Sequence, residues 1–240
     1  MNLQETLVSN NHKDYYTLQN APLTGQTENH HSNTSTGIKC CWIELKKDYT
    51  ITNLFAIPII YIPVTITIFF FTGQIIFLLK DPEYYNVSDQ DISQVSNNLT
   101  QFSMPFQIIG VILMGYIYDL FGRRYSIFIN LFLQALCFFI IPLGAPNVNP
   151  MVQIARTTQL VTNACTVVHP LINDYVLKKS RGMANALQVV GQCVGDIIIV
   201  VILKFLQDIE IGKQFMVTGI IIIVFSFLVL FMIQEPDMKK

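Results

Sequence analysis

The chain has 240 residues, of which 52% are hydrophobic and only 13% charged, with a net charge of −1. A soluble domain carries about 25% charged residues, so the composition points to a membrane protein. The near-neutral balance excludes the basic field that nucleic-acid binding needs.

In chain order, residues 1–50 are rich in Asn, Thr, Ser, Gln and His and are expected to form a disordered tail. The tail lacks the early apolar core of a signal peptide. His30 and His31 are too few ligands for a metal site, and the five cysteines show no C-x-x-C or metal-ligand spacing. Cys40 and Cys41, just before the first apolar run, fit either free thiols or juxtamembrane S-acylation. Six stretches then approach the ~20 apolar residues of a bilayer crossing: about 51–79, 102–118, 126–143, 151–176, 183–206 and 214–233. The first is uncharged and contains Pro58 and Pro63, the fourth is the most polar, and the sixth is nearly all Ile, Val, Phe and Leu. Internal Gly and Pro are compatible with membrane helices. The runs are too continuous for barrel strands, which alternate over ~10 residues. The fold class is therefore all-α, a polytopic membrane protein with six transmembrane helices and a short end at 235–240.

With six spans both termini share one side of the membrane. That side collects Lys46, Lys47, Arg123, Arg124, Lys178, Lys179, Arg181, Lys239 and Lys240, while Lys80, Lys204 and Lys213 on the other side are diluted by acids. Positive charge accumulates in the cytoplasm, so both termini are expected there. The loop of about 80–101 would then face outward with two glycosylation sequons, at Asn86 and Asn98. Asn86 is favoured, because Asn98 is close to the second span. A third sequon, at Asn33, would be idle on the cytoplasmic side.

The segment G-Y-I-Y-D-L-F-G-R-R, from Gly115 to Arg124, separates the second and third spans. Gly115 permits close approach of another helix. Asp119, one turn on, opposes the dipole at a helix C-terminus and needs a cation or another helix's N-terminus as partner. Gly122 suits a C-cap, and Arg123 and Arg124 can fix topology and pair with carboxylates. The whole spacing resembles the loop signature of the major facilitator superfamily, G-x-x-x-D-x-x-G-[RK]-[RK], in that family's own location. Arg156 and Gln159 resemble the family's R-x-x-Q-G motif, with Leu160 at the final Gly. Asp174 and Arg181–Gly182 resemble its passage from the fourth helix to the fifth. The resemblance implies half of a major-facilitator fold and a charge network of Asp119, Arg123 and Asp174, with Arg181 a further candidate, that locks the outward-facing state.

Ionisable residues inside a span are functional candidates. Arg156 lies in span four. Asp196 lies well inside span five, directly after the close-packing pair Gly191 and Gly195, where antiporter members of the family tend to have proline. A pairing of Arg156 with Asp196 is one expectation. Gln134, Asn163 and Gln192 are softer candidates for the solute or proton pathway, and also for helix–helix hydrogen bonding, as are Asn130, Gln188 and His169. No catalytic triad, phosphate loop or paired carboxylates occur, so no enzyme activity, cofactor or metal is expected.

The motifs all belong to an N-terminal half, whereas the family builds its site between two six-helix bundles. The leading expectation is a transporter or half-transporter of a small solute that works by alternating access, with proton coupling left open. Its second bundle would come from another copy or another chain. A homo-oligomer is suggested because the small-residue face of span five would otherwise contact lipid. The alternatives are a non-transporting scaffold or regulatory subunit, or an incomplete reading of a twelve-span chain.

Overall fold

The computed structural model describes residues 38–40 and 42–235. The expectations for His30, His31, Asn33, Cys41, Lys239 and Lys240, and for most of the tail, lie outside the described residues.

The expected disorder does not extend to residue 50. Strand β1 (Lys39–Cys40) pairs antiparallel with β2 (Ile43–Glu44). The alternation Ile43, Glu44, Leu45 puts two apolar side chains on one face, and both are buried. The hairpin is held by the chain around residues 173–180. The Lys46 N–H donates to the Tyr175 carbonyl at 2.9 Å, and the Leu177 N–H to the Glu44 carbonyl at 3.0 Å. The Glu44 carboxylate pairs with Lys179 at 2.5 Å and with Lys39 at 2.9 Å. These two ammonium groups, Lys179 first, hold its pKa below the usual carboxylate value.

Among the described residues seven α-helices follow: α1 (Ile51–Lys80), α2 (Ile92–Phe121), α3 (Arg123–Leu143), α4 (Met151–Val167), α5 (Leu171–Tyr175), α6 (Arg181–Leu206) and α7 (Ile211–Met232). Five are long and apolar enough to cross a membrane: α1, α2, α3, α6 and α7. At 17 residues, α4 sits at the short limit of a spanning helix. The stretch expected to run to 176 breaks at Val168–Pro170, where a proline, which cannot donate to the helix ladder, precedes α5. Helix α2 begins ten residues before its apolar run because its first turns are amphipathic. Ile92, Val95 and Leu99 face the core while Ser93, Gln94, Asn97 and Asn98 face out.

Helix α1 is the centre. In its most apolar 18-residue window 78% of residues are buried, against 11% for α2 and 28% for α6. It packs along α6 and α7, while α3 packs on α7 and α4, and α2 on α4. Gly191 and Gly195 make the α1–α6 contact. A methyl on Gly191 would lie 2.8 Å from Pro58 backbone carbons, and one on Gly195 would lie 2.8 Å from Thr65 Cβ. The small-residue face of α6 is therefore filled by α1 of the same chain. It does not lie open to lipid, which removes the packing argument for a homo-oligomer. The open faces belong instead to the far sides of α2 and α6.

Candidate functional site

Helices α2 and α3 are joined by one residue, Gly122, whose φ of 83° and ψ of 163° lie in a region open essentially to glycine alone. This sharp turn aims Arg123 back across the end of α2. Its Nε donates to Asp174 Oδ2 at 3.0 Å, and its Nη1 lies 3.2 Å from Asp119 Oδ1. Arg123 and Asp174 are largely buried, with side chains 13% and 19% exposed, whereas Asp119 is 72% exposed. The three expected members of the charge network thus meet, with Arg123 as the bridge and Asp174 as its closer, drier partner. Arg181 bonds the Asn173 carbonyl at 3.2 Å and forms no ion pair with either aspartate. Gly115 and Asp119 open onto a cavity of about 340 Å³ that also touches Tyr118, Val168 and Pro170. A methyl on Gly115 would meet nothing within 4 Å, so no helix of this bundle uses the approach it permits.

A residue without a sequence signal completes this end. The Glu235 carboxylate accepts the backbone N–H groups of Arg123 at 3.0 Å and Arg124 at 2.6 Å, at the N-terminus of α3. In return Arg124 Nε donates to the Leu230 carbonyl at 2.7 Å, and Asn53 Nδ2 donates to the Met232 carbonyl at 3.0 Å, at the C-terminus of α7. Helix ends leave four N–H or C=O groups unpaired. Here an anion satisfies a positive end and a cation a negative one. Arg124 is therefore a helix clasp, outside the Arg123 bridge.

At the opposite end, Arg156 is 7% exposed although it carries a full charge. The i, i+3 spacing lets Gln159 reach it, and Arg156 Nη1 donates to Gln159 Oε1 at 2.6 Å. The guanidinium carbon lies 4.1 Å from the Phe71 ring centroid. Such a cation–π contact returns about 0.5–2 kcal/mol, less than the several kcal/mol of burying an ion. The expected pairing with Asp196 is not formed. Arg156 lies where α4 meets α1 and α2, while Asp196 is exposed on α6, on a face away from Gly191 and Gly195.

The model of the Major Facilitator Superfamily matches residues 54–240. The chain belongs to the major facilitator superfamily. A crystal structure of a D-xylose–proton symporter shares the fold, with a TM-score of 0.53 and 17% identity over 78% of this chain and 47% of that one. The present chain thus spans about half the length of that structure. No curated protein matches the sequence.

Within this facilitator bundle the remaining expected residues separate into two groups. Gln192 and Asp196 are i, i+4 on the exposed face of α6, beside exposed Cys193. Gln134 and Asn163 are buried between helices. Gln134 Nε2 reaches Thr166 Oγ1 at 3.4 Å, tying α3 to α4. His169 is buried at the α4–α5 break against the Tyr61 ring. Asn86 is exposed in the α1–α2 connection with a positive φ of 48°, which asparagine tolerates. Asn98 is exposed within the first turns of α2.

Proposed function

We propose that this bundle is one half of a secondary transporter that moves a small solute by alternating access. The Arg123 bridge acts as its conformational latch, and both termini lie in the cytoplasm. The observation that carries the reading is the latch geometry. Arg123 joins α3, α2 and the α4–α6 connection through two aspartates, beside a cavity that no helix among the described residues fills. A second six-helix bundle, from a second copy, another chain or further sequence, would dock on the open faces of α2 and α6 and meet Asp119. The symporter whose fold it shares supports the further reading that transport is proton-coupled, and the exposure of Asp196 and Gln192 on the open face of α6 makes them our candidates for the pathway. In the outward connection, Asn86 would carry glycan.

Cys193 provides the test, because it is exposed beside Asp196. In a background with Cys40 and Cys41 changed to serine, labelling of Cys193 by an impermeant maleimide should change in rate when Asp119→Asn loosens the latch. Identical rates in the two proteins would contradict the latch.

A further inference from the structure

We infer that the solute carries a carboxylate, received by Arg156 in the cavity between α1, α2 and α4; this rests on the transporter reading. The cavity has a volume of about 50 Å³ and is lined by Phe71, Thr72, Ile75, Ser96, Leu99, Thr100 and Arg156. A cavity of this size admits a few water molecules or a small polar group.

Charge bookkeeping selects the class of ligand. Among the described residues, no carboxylate pairs with Arg156, whose contacts are Gln159 and the Phe71 ring. Three of the four acids in the connection leading to α2 are otherwise engaged, and the fourth, Glu83, acts electrostatically on Lys213. The Asp89 carboxylate pairs with Lys80 at 2.7 Å, that of Asp81 accepts the Glu83 N–H at 2.9 Å, and that of Asp91 accepts the Ser88 hydroxyl at 2.8 Å. A buried cation without a counter-ion is unfavourable until an anion reaches it. Gln159 occupies only Nη1, so the remaining donors of the guanidinium fork can address a second acceptor. The hydroxyls of Ser96 and Thr72 bond nothing else among the described residues and can donate to the same oxyanion. Phe71 and Ile75 form an apolar wall, which suits the carbon next to a carboxylate better than a fully hydrated phosphate.

The test uses the full chain in detergent, titrated with propionate, with its neutral isostere propionamide and with inorganic phosphate. Binding is read by calorimetry and by the ligand-induced rise in Tm. Propionate should bind, and propionamide should bind on the order of tenfold or more weakly, as expected for a charge-assisted contact. Arg156→Gln should abolish the difference, and Arg156→Lys should retain part of it. Should Arg156→Gln fail to fold, Ser96→Ala with Thr72→Ala leaves the charge in place and should still weaken propionate several-fold without affecting propionamide. Equal binding of acid and amide, unchanged selectivity in the variants, or tighter binding of phosphate would each overturn the assignment. Because binding is measured without flux, a protein that binds propionate but transports nothing refutes the transporter reading alone. One that transports only neutral solutes, with Arg156→Gln unaffected, refutes the carboxylate alone.

Discussion

The two aspartates around Arg123 should contribute unequally, and in the order opposite to their prominence in the sequence motif. Asp174 meets Arg123 at 3.0 Å with both side chains largely buried, while Asp119 stands 3.2 Å away and is mostly in solvent. Hydrogen bonds to charged groups contribute about 1.5–3 kcal/mol. Partial exposure lowers the Arg123–Asp174 coupling to about 1–2 kcal/mol, whereas an exposed i, i+4 pair is worth under about 0.5 kcal/mol. For a chain of this size, 1 kcal/mol moves Tm by roughly 2–4 °C. Double-mutant cycles combining Arg123→Ala with Asp174→Asn and with Asp119→Asn, followed by circular-dichroism melts in detergent, should give a coupling of roughly 4 °C in the first and roughly 1 °C in the second. Equal couplings, or a larger one for Asp119, would refute the bridge as described. Asp119 would then depend on this bundle for its partner and not on a second one.

Three further outcomes follow from the packing. Gly191→Ala forces a methyl against Pro58 and should lower stability by about 1–3 kcal/mol. Gly73→Ala, with nothing within 4 Å, should be neutral or stabilising by up to about 1 kcal/mol, and the difference in Tm between the two variants checks this. Glu235→Ala removes the cap on α3 and should cost about 0.5–2 kcal/mol, with faster hydrogen exchange confined to the first turn of α3. The hairpin depends on Glu44, whose pKa is depressed. Its contribution is present above the ordinary carboxylate value of about 4.3 and is lost as pH falls through the lower folded-state value. Trp42, the chain's one tryptophan, should report this as a drop in fluorescence anisotropy at acid pH that is absent in Glu44→Gln.

Hydropathy, a local signal, made the five long spanning helices legible, with the fourth stretch at the short limit, whereas the Asp119–Arg123–Asp174 network was implied by the resemblance to the facilitator loop motif and reaches across some fifty residues. The start of α2 was missed since its apolar stripe is diluted by Ser, Asn and Gln, so average hydropathy conceals a helical period. The break after Val167 was marked by Pro170 but masked by apolar neighbours. Glu235 and the hairpin around Ile43 and Leu45 are tertiary features. Each gains its partner across more than a hundred residues, which no window along the chain can see. The Gly191 and Gly195 pair was correctly read as a packing face, but only the fold assigns that face to α1. The same is true of Arg156 and Asp196. Both stand out as intramembrane charges, yet their helices set them on different surfaces.

The most direct test of the transporter reading is solute counterflow in proteoliposomes containing the full chain, with a panel of small monocarboxylates, sugars and amino acids. The account predicts saturable, competitor-sensitive uptake of at least one solute, diminished by Arg123→Ala. Flux indistinguishable from protein-free vesicles for every solute would contradict it.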